Sequence, residues 1–364
     1  MSKKTLFIVF VTLLTFSKVN AQDPFKGLTS LFTIPENYQV LFTNSTLQID
    51  GHLREAAWDA APWSKMFVDI TGDEKLKPAF ETRMKLLWDD SCLYVAAELR
   101  EPHVWAYFKD HDAIVFHEND FEVFLDPGNS GEHYYEIQIN ARNTIFDLVL
   151  SQPYRDGGKA MPDWNAAGLR TAVSIQGTLN NPADRDQGWT VEMAIPFKAL
   201  NTYNGALKPG EGDFWRANFS RVQWKTEVTD GGYVRLKDKQ GKYLAEDNWV
   251  WSAQGVINMH FPERWGYLHF IKSKGTAFTL PYQDKQKPYL WLTYYKQKAY
   301  FKKHKKYASS LKELGIETNT FMIDSHKNIL ETKGDAHQFL STIEDRNQQI
   351  KISLNQQGQI SILK

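Results

Sequence analysis

The stretch "HENDFEVFLDPGNSGEHYYEIQIN", residues 117–140, decides the fold. Phe121, Val123 and Leu125 recur at every second position, with Glu122 and Phe124 between them. After a Pro-Gly-Asn-Ser-Gly break, Tyr135, Ile137 and Ile139 repeat the rhythm, and Glu136, Gln138 and Asn140 fill the gaps. Successive side chains of a strand point to opposite faces, so this alternation predicts two antiparallel strands joined by a turn. One face is apolar. The other carries acids and amides and is either simply wet or built to hold a polar ligand.

Working outward, the same punctuation runs from about residue 40 to 271. Short alternating runs fall at 83–88, 93–99, 121–126, 134–140, 144–150, 171–177, 188–195, 214–224 and 265–270, separated by Gly, Pro, Asn and Asp. Many short strands with few helices predict a mainly β fold, an antiparallel β-sandwich. Two brief helices fit "REAAWDAA" (54–61) and "PFKAL" (196–200). Long loops at 100–116, 151–168 and 224–262 are of a size that usually serves a function.

Past residue 272 the pattern changes. Leu290, Tyr294, Gln297 and Phe301 keep a helical period, and strand-like runs with polar turns follow. The expected organisation is a signal peptide over 1–21, a sandwich over 35–271 and a small C-terminal α+β domain over 278–364. The leader reading rests on Lys3 and Lys4, an apolar run from Thr5 to Phe16 too short to span a bilayer, and small residues before Gln22. Export to the periplasm or outside the cell follows, with no membrane span. The single Cys92 allows no internal disulfide. Equal numbers of basic and acidic side chains, 43 each, argue against nucleic acid as a partner.

Three sets of residues carry candidate chemistry. The polar strand face offers Glu122, Glu136, Gln138 and Asn140, joined by Arg216 on "RANFS" and by His117 and Asn119 at the strand entry. Paired carboxyls and amides both donate and accept, as saccharide hydroxyls do. Arg221 joins them only if its strand bulges, because it lies one step out of register with Asn218. The second set is aromatic. Trp105 in "REPHVWAYF" and Trp164 in "MPDWNAAG" lie in loops, where an exposed indole would stack on the C–H face of a sugar ring. The third is oxygen-rich turns, "WDDS" (88–91), "LDPGNSGE" (125–132) and "NPADRDQG" (181–188), with the ligand types of a structural calcium. Acids such as Glu122 and Glu136 could also serve a glycosidase, but nothing singles out a proton donor and a nucleophile. No nucleophile elbow, phosphate loop or zinc spacing appears.

At this point "IDGHLREAAWDAAPW", "LLWDDSCLYVAAELREPHVWA", "HENDFEVFLDP", "GWTVEMAIPFKAL" and "EDNWVWSAQGVINMHFPERWGYLHF" come in order along the chain, and residues 47–271 resemble the family 9 carbohydrate-binding module. The resemblance implies a saccharide-binding sandwich, a sugar held between two Trp rings, structural calcium and an association with xylan-degrading enzymes. Such modules are commonly attached to a catalytic domain, and none is visible here. The combined expectation is an exported protein that binds poly- or oligosaccharide and supports polysaccharide breakdown. A glycoside hydrolase of endoxylanase type is the first rival. An adaptor that meets a glycan-degrading enzyme or other protein through its C-terminal domain is the second.

Overall fold

The computed structural model describes residues 23–72, 77–201, 208–273, 275 and 277–363. The leader segment lies outside them. A first block of strands comprises β1 (Asn37–Phe42), β2 (Val68–Asp69), β3 (Thr82–Trp88), β4 (Cys92–Arg100), β5 (Asp120–Asp126), β6 (Tyr134–Asn140), β7 (Ile145–Leu150), β8 (Ala160–Met161), β9 (Arg170–Gln176) and β10 (Gly188–Pro196). It continues with β11 (Phe214–Gln223), β12 (Thr226–Thr229), β13 (Gly232–Arg235), β14 (Asp247–Val250) and β15 (Gly266–Ile271). Apart from the β12–β13 hairpin these form one hydrogen-bonded sheet, in the order β8-β7-β6-β5-β11-β15-β1-β3-β4-β10-β9, with β14 and β2 branching from β11.

That sheet folds over itself into two layers. The apolar positions of the opening stretch explain why. Phe121, Val123, Leu125, Tyr135, Ile137 and Ile139 share one core with Val95, Ala97, Val191 and Met193 of the facing layer. Burying one such side chain is worth roughly 1.5–3 kcal/mol, so the alternating pattern fixes which face turns inward. The register agrees: Glu122 sits opposite Gln138, and Phe124 opposite Glu136. The layers are joined where β1 runs parallel to both β15 and β3.

The sequence-predicted strands are present within a residue or so at each end. β1, β14 and the β12–β13 hairpin were not foreseen, the last two because they lie inside the long 224–262 loop. Helix α1 (Ala56–Ala60) forms where expected, while "PFKAL" yields only a 3₁₀ turn over Ala199–Asn201.

The C-terminal unit is helix α2 (Tyr282–His304) packed on a five-stranded meander, β16 (Thr320–Ile323), β17 (His326–Gly334), β18 (Phe339–Asp345), β19 (Ile350–Asn355) and β20 (Ile360–Leu363). Leu290, Thr293, Tyr294 and Gln297 form the buried stripe of α2. Among the described residues, no helix is long and apolar enough to cross a membrane.

Candidate functional site

The outer face of the β6–β5–β11 layer, the one turned away from the core, is hollowed into a groove of about 380 Å³. Glu122, Glu136 and Gln138 form its floor, as period two requires. Its walls come from loops: Ile114 and Phe116 on one side, Tyr154 and Ile257 on another, with Met259, His260 and Glu246 between. These wall side chains are open to solvent, Phe116 at 36%, Ile114 at 46%, Tyr154 at 47% and Ile257 at 70%. The volume lies within the range of small-molecule sites, roughly 300–1,000 Å³. A larger hollow of about 500 Å³ near Cys92 and Phe197 holds no unpartnered buried polar atom among the described residues.

The floor is a short relay. Phe116 N donates to Gln138 Oε1 at 3.0 Å, and Gln138 Nε2 donates to Glu136 Oε1 at 2.6 Å. The amide is thereby fixed in orientation, tied to the loop that presents Phe116. Beside it, Glu122 Oε2 and, just beneath, Asp120 Oδ2 are buried with no hydrogen-bond partner. Burial, and then the neighbouring carboxyls, push Asp120 and Glu122 well above the usual carboxylate range. Burial raises Glu136 as well, against the pull of Gln138. Among the described residues, no Lys or Arg lines the groove. At the far wall His260 shares a hydrogen bond with Tyr134 Oη at 3.0 Å, and burial together with nearby Arg155 lowers its pKa to about 4, so it stays neutral. Chemically the groove offers carboxyls that keep their protons to higher pH than usual and an amide at the bottom, with apolar rings at the sides.

Of the ten residues expected to touch a ligand, three meet here: Glu122, Glu136 and Gln138. His117 is half-buried next to Phe116, near Glu246 at the rim. The others are placed differently. Asn119 donates to Glu101 and accepts from Trp224 N. Asn140 donates to Glu118 and to the Phe108 carbonyl while accepting from Arg142 N and Thr144 N. Both amides are consumed in fixing loops. Arg216 lies away from the groove, on the Trp265 carbonyl and over the Tyr267 ring at 4.0 Å. Arg221 pairs with Phe121, with no bulge between, so it faces the interior. There it bonds Glu101, Gln223, Thr82 and the Arg100 carbonyl.

The two indoles require a correction. Trp105 is 4% and Trp164 9% exposed. Trp105 packs with Val222, Trp224 and Tyr233, under a loop pinned by Val104 N to Asp186 and Ala106 N to Asn180. Trp164 lies on Tyr135 at 5.0 Å between ring centres and closes the sandwich core. Eleven of the twelve Trp are buried, and half-buried Trp63 is covered by Arg83 and Lys85. The solvent-exposed rings that face the groove, Phe116 and Tyr154, were missed. Their signal was position in the flagged loops, not residue type.

The calcium turns fare similarly when tested by their donors. Asp89 accepts from Ser91 N, Cys92 N and the Tyr94 hydroxyl, and Asp186 from Val104 N and Thr178 N, leaving no free set of oxygens. At 125–132, Asp126 Oδ1 and Asn129 Oδ1 are buried and unpartnered, yet the Arg216 and Lys287 cations act on the same carboxylate. Of the three turns, the one at 125–132 alone keeps unpartnered buried oxygens among the described residues, and it keeps them beside two cations.

Residues 49–212 match the family described as "Carbohydrate family 9 binding domain-like". The chain is 26% identical over 123 residues to Exoglucanase XynX of Acetivibrio thermocellus. It is 28% identical over 124 residues to Endo-1,4-beta-xylanase A of Thermoanaerobacterium saccharolyticum. Each match takes in 34% of this chain and 9% of the relative, so the chain spans under a tenth of the length of either enzyme. Among solved structures, a family 9 carbohydrate binding module from Caldicellulosiruptor kristjanssonii in complex with cellotriose is similar at 16% identity and a TM-score of 0.39, over 68% of this chain and 98% of that one. Its glucose complex has the same identity and score, over 67% and 100%.

Proposed function

We propose that this chain, a family 9 carbohydrate-binding-like protein over residues 49–212, is an exported protein that binds a neutral saccharide in the groove over β5 and β6. One observation carries the reading. A carboxyl–amide–carboxyl floor, part of it without hydrogen-bond partners, lies between solvent-exposed rings in a groove that holds no cation. Saccharide hydroxyls donate and accept in turn and would occupy the orphan oxygens, while ring C–H faces would lie on Phe116 and Tyr154. The groove disfavours phosphate, sulfate or uronate, since among the described lining residues an anion would find no Lys or Arg as counter-charge.

Cellotriose and xylotriose, titrated calorimetrically into the mature protein, test this. Binding that weakens about tenfold in Phe116→Ala and in Gln138→Ala, with little change in melting temperature, supports the groove. Binding that survives both variants unchanged removes it. The hydrolase reading is favoured by the proximity of two raised carboxyls, Glu122 and Glu136. Both, however, rise from one floor rather than flanking a bond from opposite sides, as paired glycosidase acids do. New reducing ends from xylan, abolished in Glu136→Gln, would reinstate it.

A further inference from the structure

The groove wall bearing Tyr154 and His260 is held by more than the sandwich. Arg155, next to Tyr154, donates to the His260 carbonyl at 3.3 Å and to Glu263 at 2.9 Å, and its guanidinium covers the Phe261 ring at 4.1 Å. Arg155 also pairs with Asp156 at 3.2 Å. These residues tie the 151–161 loop to the 257–264 loop, the two segments that build that wall. The Asp156 and Glu263 side chains are 1% and 3% exposed, so their charges are hardly screened.

On the sandwich side alone the cluster does not balance. Its two buried carboxylates, Asp156 and Glu263, share one ion-paired cation, Arg155, while Arg264 acts on Glu263 without pairing and spends its own bonds on Gln254 and Thr33. Helix α2 supplies what is missing. Tyr294 donates its hydroxyl to Asp156 and Tyr295 donates to Glu263. Lys298 Nζ reaches Asp156 at 2.9 Å. Arg155 and the partly exposed Lys298 then both pair with Asp156, Arg155 also with Glu263, and three of the contacts come from the C-terminal unit. Removing one member of this set leaves a buried carboxylate short of a donor or a counter-charge, which a parting of the two loops would relieve by admitting water.

We propose that the C-terminal unit is a brace for the binding groove: Tyr294, Tyr295 and Lys298 are positioning residues that set the Tyr154–His260 wall. The inference rests on the groove being the ligand site, but its first readout needs no ligand. In the full-length Tyr294→Phe/Tyr295→Phe variant, which keeps both rings and removes only the hydroxyls, amide hydrogen exchange should rise at least tenfold across 152–161 and 257–264. Amides of β5 and β6 should exchange as in the native protein. Lys298→Met should act in the same direction, and Lys298→Arg should restore native exchange. Native exchange in both loops of the double variant, or an increase spread evenly over the whole chain, overturns the brace. Cellotriose affinity should fall about tenfold in the double variant. A native protein that binds neither cellotriose nor xylotriose would overturn the saccharide reading, and the exchange result would still decide the brace.

Discussion

Two buried polar clusters sit on opposite faces of the layer that holds β6, β5 and β11, and they have been treated differently. On the inner side, Arg221 is 1% exposed, bonds Glu101, Gln223 and Thr82, and lies over the Trp249 ring. Its acceptors are spread over β3, the end of β4 and β11, so it ties the two layers together. On the outer side, Asp120, Glu122 and Glu136 gather three carboxyls with no cation, and two oxygens lack any partner. A satisfied cluster is architecture, because every member is held and none is available. An unsatisfied one at the base of an open groove still has hydrogen-bonding capacity to offer, which is what the proposed saccharide would use. Residue type alone would have ranked them the other way, since Arg is the stronger hydrogen-bonding group.

The largest expected effect belongs to the satisfied cluster. Arg221→Ala strands Glu101 in the interior and should destabilise by about 3–5 kcal/mol, read from urea unfolding. A loss below about 1 kcal/mol would show that the inner cluster is no tie.

The outer cluster should respond to pH instead. Glu136, pushed up to about 7 by burial, and Glu122, pushed up to about 8 by burial and then by the Glu136 carboxyl, keep their protons in the fold to higher pH than in the unfolded chain. The folded state therefore binds more protons between the ordinary carboxylate range and pH 8, and stability falls as pH rises through that window. The slope is at most about 1.4 kcal/mol per pH unit for each group. Glu122→Gln/Glu136→Gln should flatten the fall of melting temperature from pH 5 to 8. An equally steep fall in the variant would assign the pH dependence to other residues.

The smallest effect is the one that separates the groove from the buried indoles. Trp164→Phe should leave cellotriose affinity within about twofold, since that ring packs on Tyr135 rather than facing the groove. The loss of part of a core ring would appear in stability, at roughly 1–3 kcal/mol.

How far the sequence reached follows from the same contrast. Period two placed Glu122, Glu136 and Gln138 on one non-core face, because that assignment needs only local geometry. It also flagged Arg221 as out of register, and the unbulged pairing with Phe121 puts it inside. Asn119 and Asn140 have the same side chain as a ligand-binding amide would. Their fate depends on Glu101 and Glu118, brought to them by loops whose paths no spacing rule describes. Trp105 and Trp164 failed for a related reason. A loop tryptophan is exposed only if the loop has no core to close, and both loops do. Phe116 and Tyr154 were hidden by being ordinary aromatics in a chain with many.

The parallel junction has a consequence for synthesis. Strand β1 finds its neighbour β3 within some fifty residues but meets β15 only when residues 266–271 have left the ribosome. Until then one edge of β1 is an open row of amides and carbonyls, and the halves of the sandwich are not sewn together. The growing chain must therefore carry an unfinished seam through most of its translation, and a nascent protein stalled before β15 would be the form most prone to pair with a neighbour.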